Sequence, residues 1–383
     1  MTEEQKLYHY QGYENILEEV KDIKEQKKSI SLFLNSALRS SNLAFFMGSG
    51  CSVDVVPLMG NTMKKILEED SGKIKSLAKK YAGEDDIFGF SDIEGFLNWL
   101  QAGISFSEKN RPDEVQDLKE ISALIKSALC ETIPVHSDER YLTSEVARTY
   151  TEFYKIVFKN KTEMSNKVSI FTTNYDLFNE YALENNNIFY TTGFSLGLKS
   201  PFDINQFKYR LVDDTERYKD RWQPVNREAN IFKLHGSINW KQSSEGGLFQ
   251  DNQNREDIDD IIIYPTTMKH EETALSPYSE LFREFTNNLQ KKNTTLFVLG
   301  YGFPDEHINN IIEQNLKNSD FTLVVFGNIK EYNMSEFHKK QKGKKNVHVI
   351  GGTLEKGMGH YFNIIVEEYL SSIVSQETGG EHE

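Results

Sequence analysis

The run Ser169-Ile170-Phe171-Thr172-Thr173-Asn174-Tyr175-Asp176-Leu177 joins an apolar stretch to an amide and a carboxylate two residues apart. If the chain stays extended past the apolar stretch, Asn174 and Asp176 face the same side. One brings an amide, the other a charge. Strand ends of this kind bind ligands in open α/β sheets, although Asn and Asp also cap helices, and a helix is expected from Leu177. Four other stretches share the form. Leu43-Ala44-Phe45-Phe46-Met47 runs into Gly48-Ser49-Gly50-Cys51-Ser52, where glycines permit a sharp turn and a close approach of phosphates to backbone N–H groups. Ser49 and Ser52 add hydroxyls. The dinucleotide fingerprint wants a third glycine where Val53 stands, and no Lys follows as in a phosphate-binding P-loop. Ile231-Phe232-Lys233-Leu234 leads to His235 and Gly236, the latter leaving room for a ligand beside the imidazole. Residues 296–299 lead to Gly300-Tyr301-Gly302-Phe303-Pro304-Asp305, and 323–326 to Gly327-Asn328.

The elements that must position these groups follow from the apolar runs, which are short and apolar on both faces, as buried parallel strands are. From 296 onward strand, turn and helix alternate, with a last strand over 347–350 and a last helix over 360–374. That pattern predicts an α/β fold, a Rossmann-like doubly wound parallel sheet. Its junctions converge on one edge, so the five polar junctions describe a nucleotide pocket with one imidazole in it. Between 13 and 38, Ile16, Leu17, Val20, Ile23, Ile30 and Leu34 recur at helical spacing, predicting an N-terminal helical segment over 1–42. Residues 55–165 form a helical insertion, read from Met63, Ile66 and Leu67, from Phe96 and Leu100, from Ile121 and Ile125, and from Tyr150, Phe153 and Tyr154. The insertion either covers the site or serves packing and assembly. The sheet domain then comprises 43–54 and 166–375. Polar residues 195–229 carry no clear pattern, the hydrophilic loop 242–260 reads as mobile, 261–265 as a strand, and 376–383 as a disordered tail.

A net charge of -14 argues against coating nucleic acid by bulk electrostatics, so direct nucleic-acid binding is expected to be weak or to run through a partner. The two cysteines, Cys51 and Cys130, exclude a disulfide scaffold and a four-cysteine zinc ribbon within one chain, and suit a reducing cytosol. No apolar core of a signal peptide is visible at the N-terminus and no run approaches the ~20 apolar residues of a membrane span, which predicts a soluble, cytoplasmic protein. Asp305, Glu306 and His307 could ligate a metal, but at a helix start acidic residues complement the helix dipole.

Gly48-Ser49-Gly50-Cys51-Ser52, Thr172-Thr173-Asn174-Tyr175-Asp176, Leu234-His235-Gly236 and Gly300-Tyr301-Gly302-Phe303 through Asp305 and Ile308 resemble, in order, the motifs of the SIR2 (sirtuin-like) family. The nearest likeness is to its bacterial antiphage branch, in particular the SIR2 subunit of SIR2–HerA defence systems. The resemblance covers about 43–54 and 166–370. It implies that Gly48, Ser49, Gly50 and Ser52 line the phosphates and ribose of NAD+, that Asn174, Asp176 and Thr173 sit by the nicotinamide ribose, that His235 is the catalytic histidine, and that Gly300, Gly302, Gly327 and Asn328 form the adenosine side. Thr173 stands where sirtuin deacetylases have Gln, only Pro57 matches the segment after their glycine loop, and their structural zinc ribbon is missing. These departures favour cleavage of NAD+ to nicotinamide and ADP-ribose over deacetylation. The likeness further implies NAD depletion during phage infection, a homo-oligomer, and a HerA-type hexameric ATPase as partner. A non-catalytic NAD or ADP-ribose sensor, and a protein deacylase or ADP-ribosyltransferase, stay open as alternatives.

Overall fold

Phe45 and Phe46 are adjacent in sequence and point into different cores: Phe45 meets Phe153 edge-on with ring centroids 5.1 Å apart, and Phe46 lies 5.8 Å from Phe285. A strand that is apolar at every position buries both faces, and such strands build a sheet with helices on either side. The computed structural model of the protein describes residues 5–69, 72–83, 93–162, 166–197, 200–218, 221–242, 247–251, 261–263, 276–341 and 343–373. In chain order the strands are β1 (Lys6–Gln11), β2 (Glu14–Asn15), β3 (Asn42–Met47), β4 (Val168–Thr172), β5 (Phe189–Thr191), β6 (Val212–Tyr218), β7 (Arg221–Pro224), β8 (Glu228–Lys233), β9 (Gly236–Gln242), β10 (Leu248–Gln250), β11 (Ile261–Ile263), β12 (Thr294–Leu299), β13 (Phe321–Phe326), β14 (Val347–Leu354) and β15 (Gly357–Met358). The helices are α1 (Ile23–Leu38), α2 (Met59–Glu69), α3 (Lys73–Ala82), α4 (Ile93–Asn110), α5 (Pro112–Thr132), α6 (Arg140–Thr143), α7 (Glu145–Asn160), α8 (Phe178–Asn185), α9 (Tyr278–Leu289), α10 (Glu306–Asn315), α11 (Tyr332–Lys340) and α12 (Phe362–Ile364), which continues as a π-helical turn over Ile365–Leu370.

One sheet runs in the order β2-β1-β14-β13-β12-β3-β4-β8-β5, with β15 beside β14. Every pairing from β14 to β5 is parallel. Alternate residues divide between two cores: Phe45, Met47, Ile170 and Phe297 pack with α1, α7, α8 and α12, whereas Phe46, Phe171, Phe232 and Val298 pack with α9, α10 and α11. This is a Rossmann-like α/β fold. The chain proceeds outward from β3 in both directions, through β4 on one side and β12 on the other, so the topological switch point, where such sheets bind ligands, lies between β3 and β12.

The N-terminal segment differs from its helical reading. Residues 6–11 alternate, with Leu7 and His9 buried, and add an antiparallel edge strand to β14; 13–22 form β2 and turns, and the helix starts only after Asp22, whose side chain accepts from Lys24 N at 3.0 Å. The added strand is six residues long and half polar, too short for its period to stand out. The helices of the insertion divide by packing: α2 to α5 share a core of their own around Met63, Leu67, Phe96, Leu100 and Ile125, while α7 lies on the sheet. The polar region 195–229 contains a short helix, Ile204–Lys208, and the β6–β7 hairpin. The apolar run 231–240 is two strands broken at Leu234 and His235; β9 leaves the main sheet and pairs with β10 and β11. The tail 376–383, residues 264–265 and most of the loop 242–260 lie outside the described residues. Among the described residues no helix is long and apolar enough to cross a membrane.

Candidate active site

β3 and β12 pair in register up to Met47 and Leu299, which sets the loops that follow them side by side. Gly48 N donates to Leu299 O and Gly50 N to Gly300 O, each at 2.9 Å. A Cβ on Gly48 would lie 2.5 Å from Gly300 O, and one on Gly300, whose φ is +59°, would lie 2.5 Å from Cys51 N. Glycine is thus required at both places by the contact of one loop with the other, before any ligand is considered.

Two cavities open at this edge and share Ser49, Leu58, Tyr301, Gly302 and Pro304 as walls. One, of about 720 Å³, contains Ser52, Thr173, Asn174, Asp176 and His235. The other, of about 780 Å³, contains Gly50, Gly300, Gly327 and Asn328. Gly48 is not among the lining residues of either. The insertion supplies part of the first cavity's wall through Val56 and Pro57 before α2, Met59 at its start, Leu129 near the end of α5 and Ile133 just after it.

Asn174 is held at three points. Thr172 Oγ1 donates to Met47 O at 2.8 Å and accepts from Asn174 N at 3.0 Å; Asn174 Nδ2 donates to Gly48 O at 3.0 Å and lies 3.4 Å from Ser52 Oγ. Ser52 Oγ in turn meets Tyr150 OH of α7 at 3.1 Å. With Nδ2 so engaged, Oδ1 is the acceptor that Asn174 offers to the cavity. Asp176 is buried and accepts from Phe178 N at 3.2 Å, at the start of α8. Its burial raises the pKa of the carboxyl, while the ammonium of Lys233, the Phe178 N–H and the Ser52 hydroxyl pull it back.

Lys233 is fully buried beneath this loop, donating to the carbonyl of Asp176, to Tyr175 O at 3.4 Å and to Glu180 Oε1 at 3.2 Å. Burial also raises the pKa of Glu180, again opposed by Lys233. Sequence reading passed over Lys233, yet a lysine inside an apolar strand is itself a signal, since a buried charge needs a partner.

His235 occupies the corner between β8 and β9, with Nε2 3.4 Å from Asp305 Oδ2. The other oxygen of Asp305 caps α10, accepting from His307 N at 3.0 Å and Ile308 N at 3.4 Å. Strands β4, β8, β12 and β13 therefore bring an amide, two carboxylates, an imidazole and a glycine-rich backbone to one edge.

Residues 168–350 match the SIR2-like domain. No curated protein matches the chain. The SIR2-like domain runs from the first residue of β4 into β14 and carries the polar ends of β4, β8, β12 and β13; the loop after β3 precedes it and joins the site by strand pairing. The domain implies an NAD-related function and is compatible with an NAD-dependent enzyme. Among the described residues no three His, Cys, Asp or Glu side chains converge as a metal site would need.

Proposed function

We propose that the protein is an NAD+ glycohydrolase, cleaving the bond between nicotinamide and ribose to give nicotinamide and ADP-ribose. The observation that carries the reading is the presence of Asn174, Asp176 and His235 in one cavity that adjoins, through Ser49 and Gly302, a second cavity lined by Gly327 and Asn328. That arrangement supports a dinucleotide lying across the switch point, its nicotinamide ribose by Asn174 and its adenosine side by Asn328. Thr173, Gly50 and Gly300 would line its path.

The chemistry asks little of the protein in acid catalysis. Nicotinamide departs as a neutral base, its ring nitrogen taking the pair of electrons from the broken bond, and the ribose passes through an oxocarbenium-like state. Asn174 Oδ1 accepts a hydrogen bond from the water or a ribose hydroxyl, His235 takes the proton as the water adds to the anomeric carbon, and Asp176 orients the ribose or stabilises positive charge. In this reading the insertion wall at Pro57 and Ile133 limits access of bulk water.

We place this activity in bacterial antiphage defence by NAD depletion, in the cytoplasm, in a homo-oligomer partnered by a HerA-type ATPase. The likeness of the motifs to that branch supports this setting. The net charge of -14 fits contact with nucleic acid through such a partner rather than directly. The test is to incubate the protein with NAD+, alone and with the candidate ATPase, and separate nicotinamide and ADP-ribose by chromatography. Asn174→Ala and His235→Ala are each expected to lower turnover by at least ~100-fold. Wild-type turnover in both variants overturns the assignment.

A further inference from the structure

We propose that Asp305 is a positioning residue for His235: one carboxylate caps α10 through Oδ1 and, through Oδ2, holds the imidazole as the tautomer protonated on Nε2, leaving Nδ1 as the base. The proposal rests on the NAD-cleaving reading for its kinetic consequence, but the geometry behind it stands by itself.

Both side chains are almost buried, with 12% of the His235 side chain and 4% of that of Asp305 exposed, and both line the cavity that holds Asn174. Among the described residues His235 Nε2 is buried without a closed hydrogen bond, and Asp305 Oδ2 lies 3.4 Å from it. Catalytic hydrogen bonds are often long before a substrate is bound and tighten with it. The carboxylate is already fixed in place. Its Oδ1 accepts from two N–H groups of the first turn of α10, and its backbone N donates to Tyr301 OH at 3.3 Å, a hydroxyl that also meets Asn309 Oδ1 at 3.1 Å. Asn309 Nδ2 closes the loop on Phe303 O at 3.0 Å, and the Phe303 ring stacks on Phe337 at 4.1 Å. A group held by its helix, its loop and a stacked ring does not need to be ordered when the reaction occurs.

The consequence for the imidazole is chemical. A carboxylate accepts and does not donate, so the nitrogen facing Asp305 is the N–H nitrogen and the other keeps its lone pair. When that lone pair takes a proton from water, the ring becomes cationic beside a fixed negative charge. Glu306 and His307 also line the cavity, with His307 packed on Phe282 at 4.7 Å.

Asn at position 305 separates the two duties, since Asn caps a helix as well as Asp does, but carries no charge and can donate to Nε2. For Asp305→Asn the thermal midpoint is expected to stay near wild type and KM within about threefold, while kcat falls by at least ~10-fold. A wild-type kcat in this variant overturns the proposal. A second measurement does not need turnover: in protein labelled with 15N-histidine, two-bond 1H–15N spectra report the tautomer of His235, assigned by its loss in His235→Gln. The Nε2–H tautomer is expected in the wild type and its loss in Asp305→Asn. A wild-type Nδ1–H tautomer overturns the proposal. If the wild type cleaves no NAD+, the functional reading falls, and the spectra still decide whether Asp305 holds the ring.

Discussion

Asn174 Nδ2 donates to the carbonyl oxygen of Gly48 at 3.0 Å, tying the loop after β4 to the loop after β3. The bond joins residues 126 positions apart and fixes which end of the amide faces the cavity. Replacing Asn174 by Asp would set a carboxylate oxygen against that carbonyl in a site where the residue is 6% exposed. Asn174→Asp is expected to lose turnover and to cost about 1 to 3 kcal/mol, the penalty of a buried acceptor left without its donor. Chemical denaturation checks it, and a variant as stable as wild type would show that the contact contributes nothing.

Gly300 and Gly302 should part company on substitution. A Cβ at Gly300 meets Cys51 N at a backbone φ of +59°, whereas one at Gly302 meets nothing within 4 Å among the described residues. Gly300→Ala is therefore expected to lose about 1 to 3 kcal/mol from backbone conformation alone. Gly302→Ala should melt near the wild-type temperature yet weaken NAD+ binding, because Gly302 lines both cavities. Thermal melts paired with calorimetric titration of NAD+ distinguish the two, and equal destabilisation would count against the loop-to-loop account.

Asp176 should limit stability as pH rises. Its folded pKa is raised, chiefly by burial, so the folded state holds the proton more tightly than the unfolded chain and stability falls as pH climbs from the ordinary carboxylate range through the folded pKa. Asp176→Asn lacks that fall. The variant is expected to be at least as stable as wild type near neutrality, by a margin that grows from acid to neutral pH, and to turn over NAD+ poorly. A margin that shrinks with rising pH would contradict the assigned burial cost.

Lys233 sits between the carbonyl of Asp176 and the Glu180 carboxylate, with no exposed surface. Lys233→Met leaves two buried carboxylates without their cation and is expected to cost about 3 to 5 kcal/mol. Adding Glu180→Gln to that variant should recover part of the loss, since one of the uncompensated charges is gone. Urea titrations of the single and double variants measure this, and equal midpoints would deny the coupling.

Much of the site was legible because its signals are local. Strand β4 and its polar end are one continuous run from Val168 to Asp176, and His235 follows β8 within two residues. The helical reading of residues 13–22 failed for a related reason: Leu17 and Val20 keep a helical interval, but the turn at Gly12, with φ +62°, and the pairing of β2 on β1 decide that stretch instead. Asp305 was read as complementing a helix start, and Oδ1 does cap α10; the second oxygen's approach to His235 comes from a strand some 70 residues earlier and leaves no local mark.

By itself the amino-acid sequence determined the two-faced apolar strands, their alternation with helices and the small polar residues at their ends, because burial on both faces and sharp turns each demand particular residues within a few positions. The tertiary structure alone decided that Gly48 lies against Gly300, that His9 Nε2 meets His348 Nδ1 at 3.0 Å across the added edge strand, and that α7 brings Tyr150 to Ser52. Those contacts join segments 98 to 339 residues apart, and they depend on which strands pair and in what register, a choice settled by the packing of the whole sheet rather than by any stretch of it.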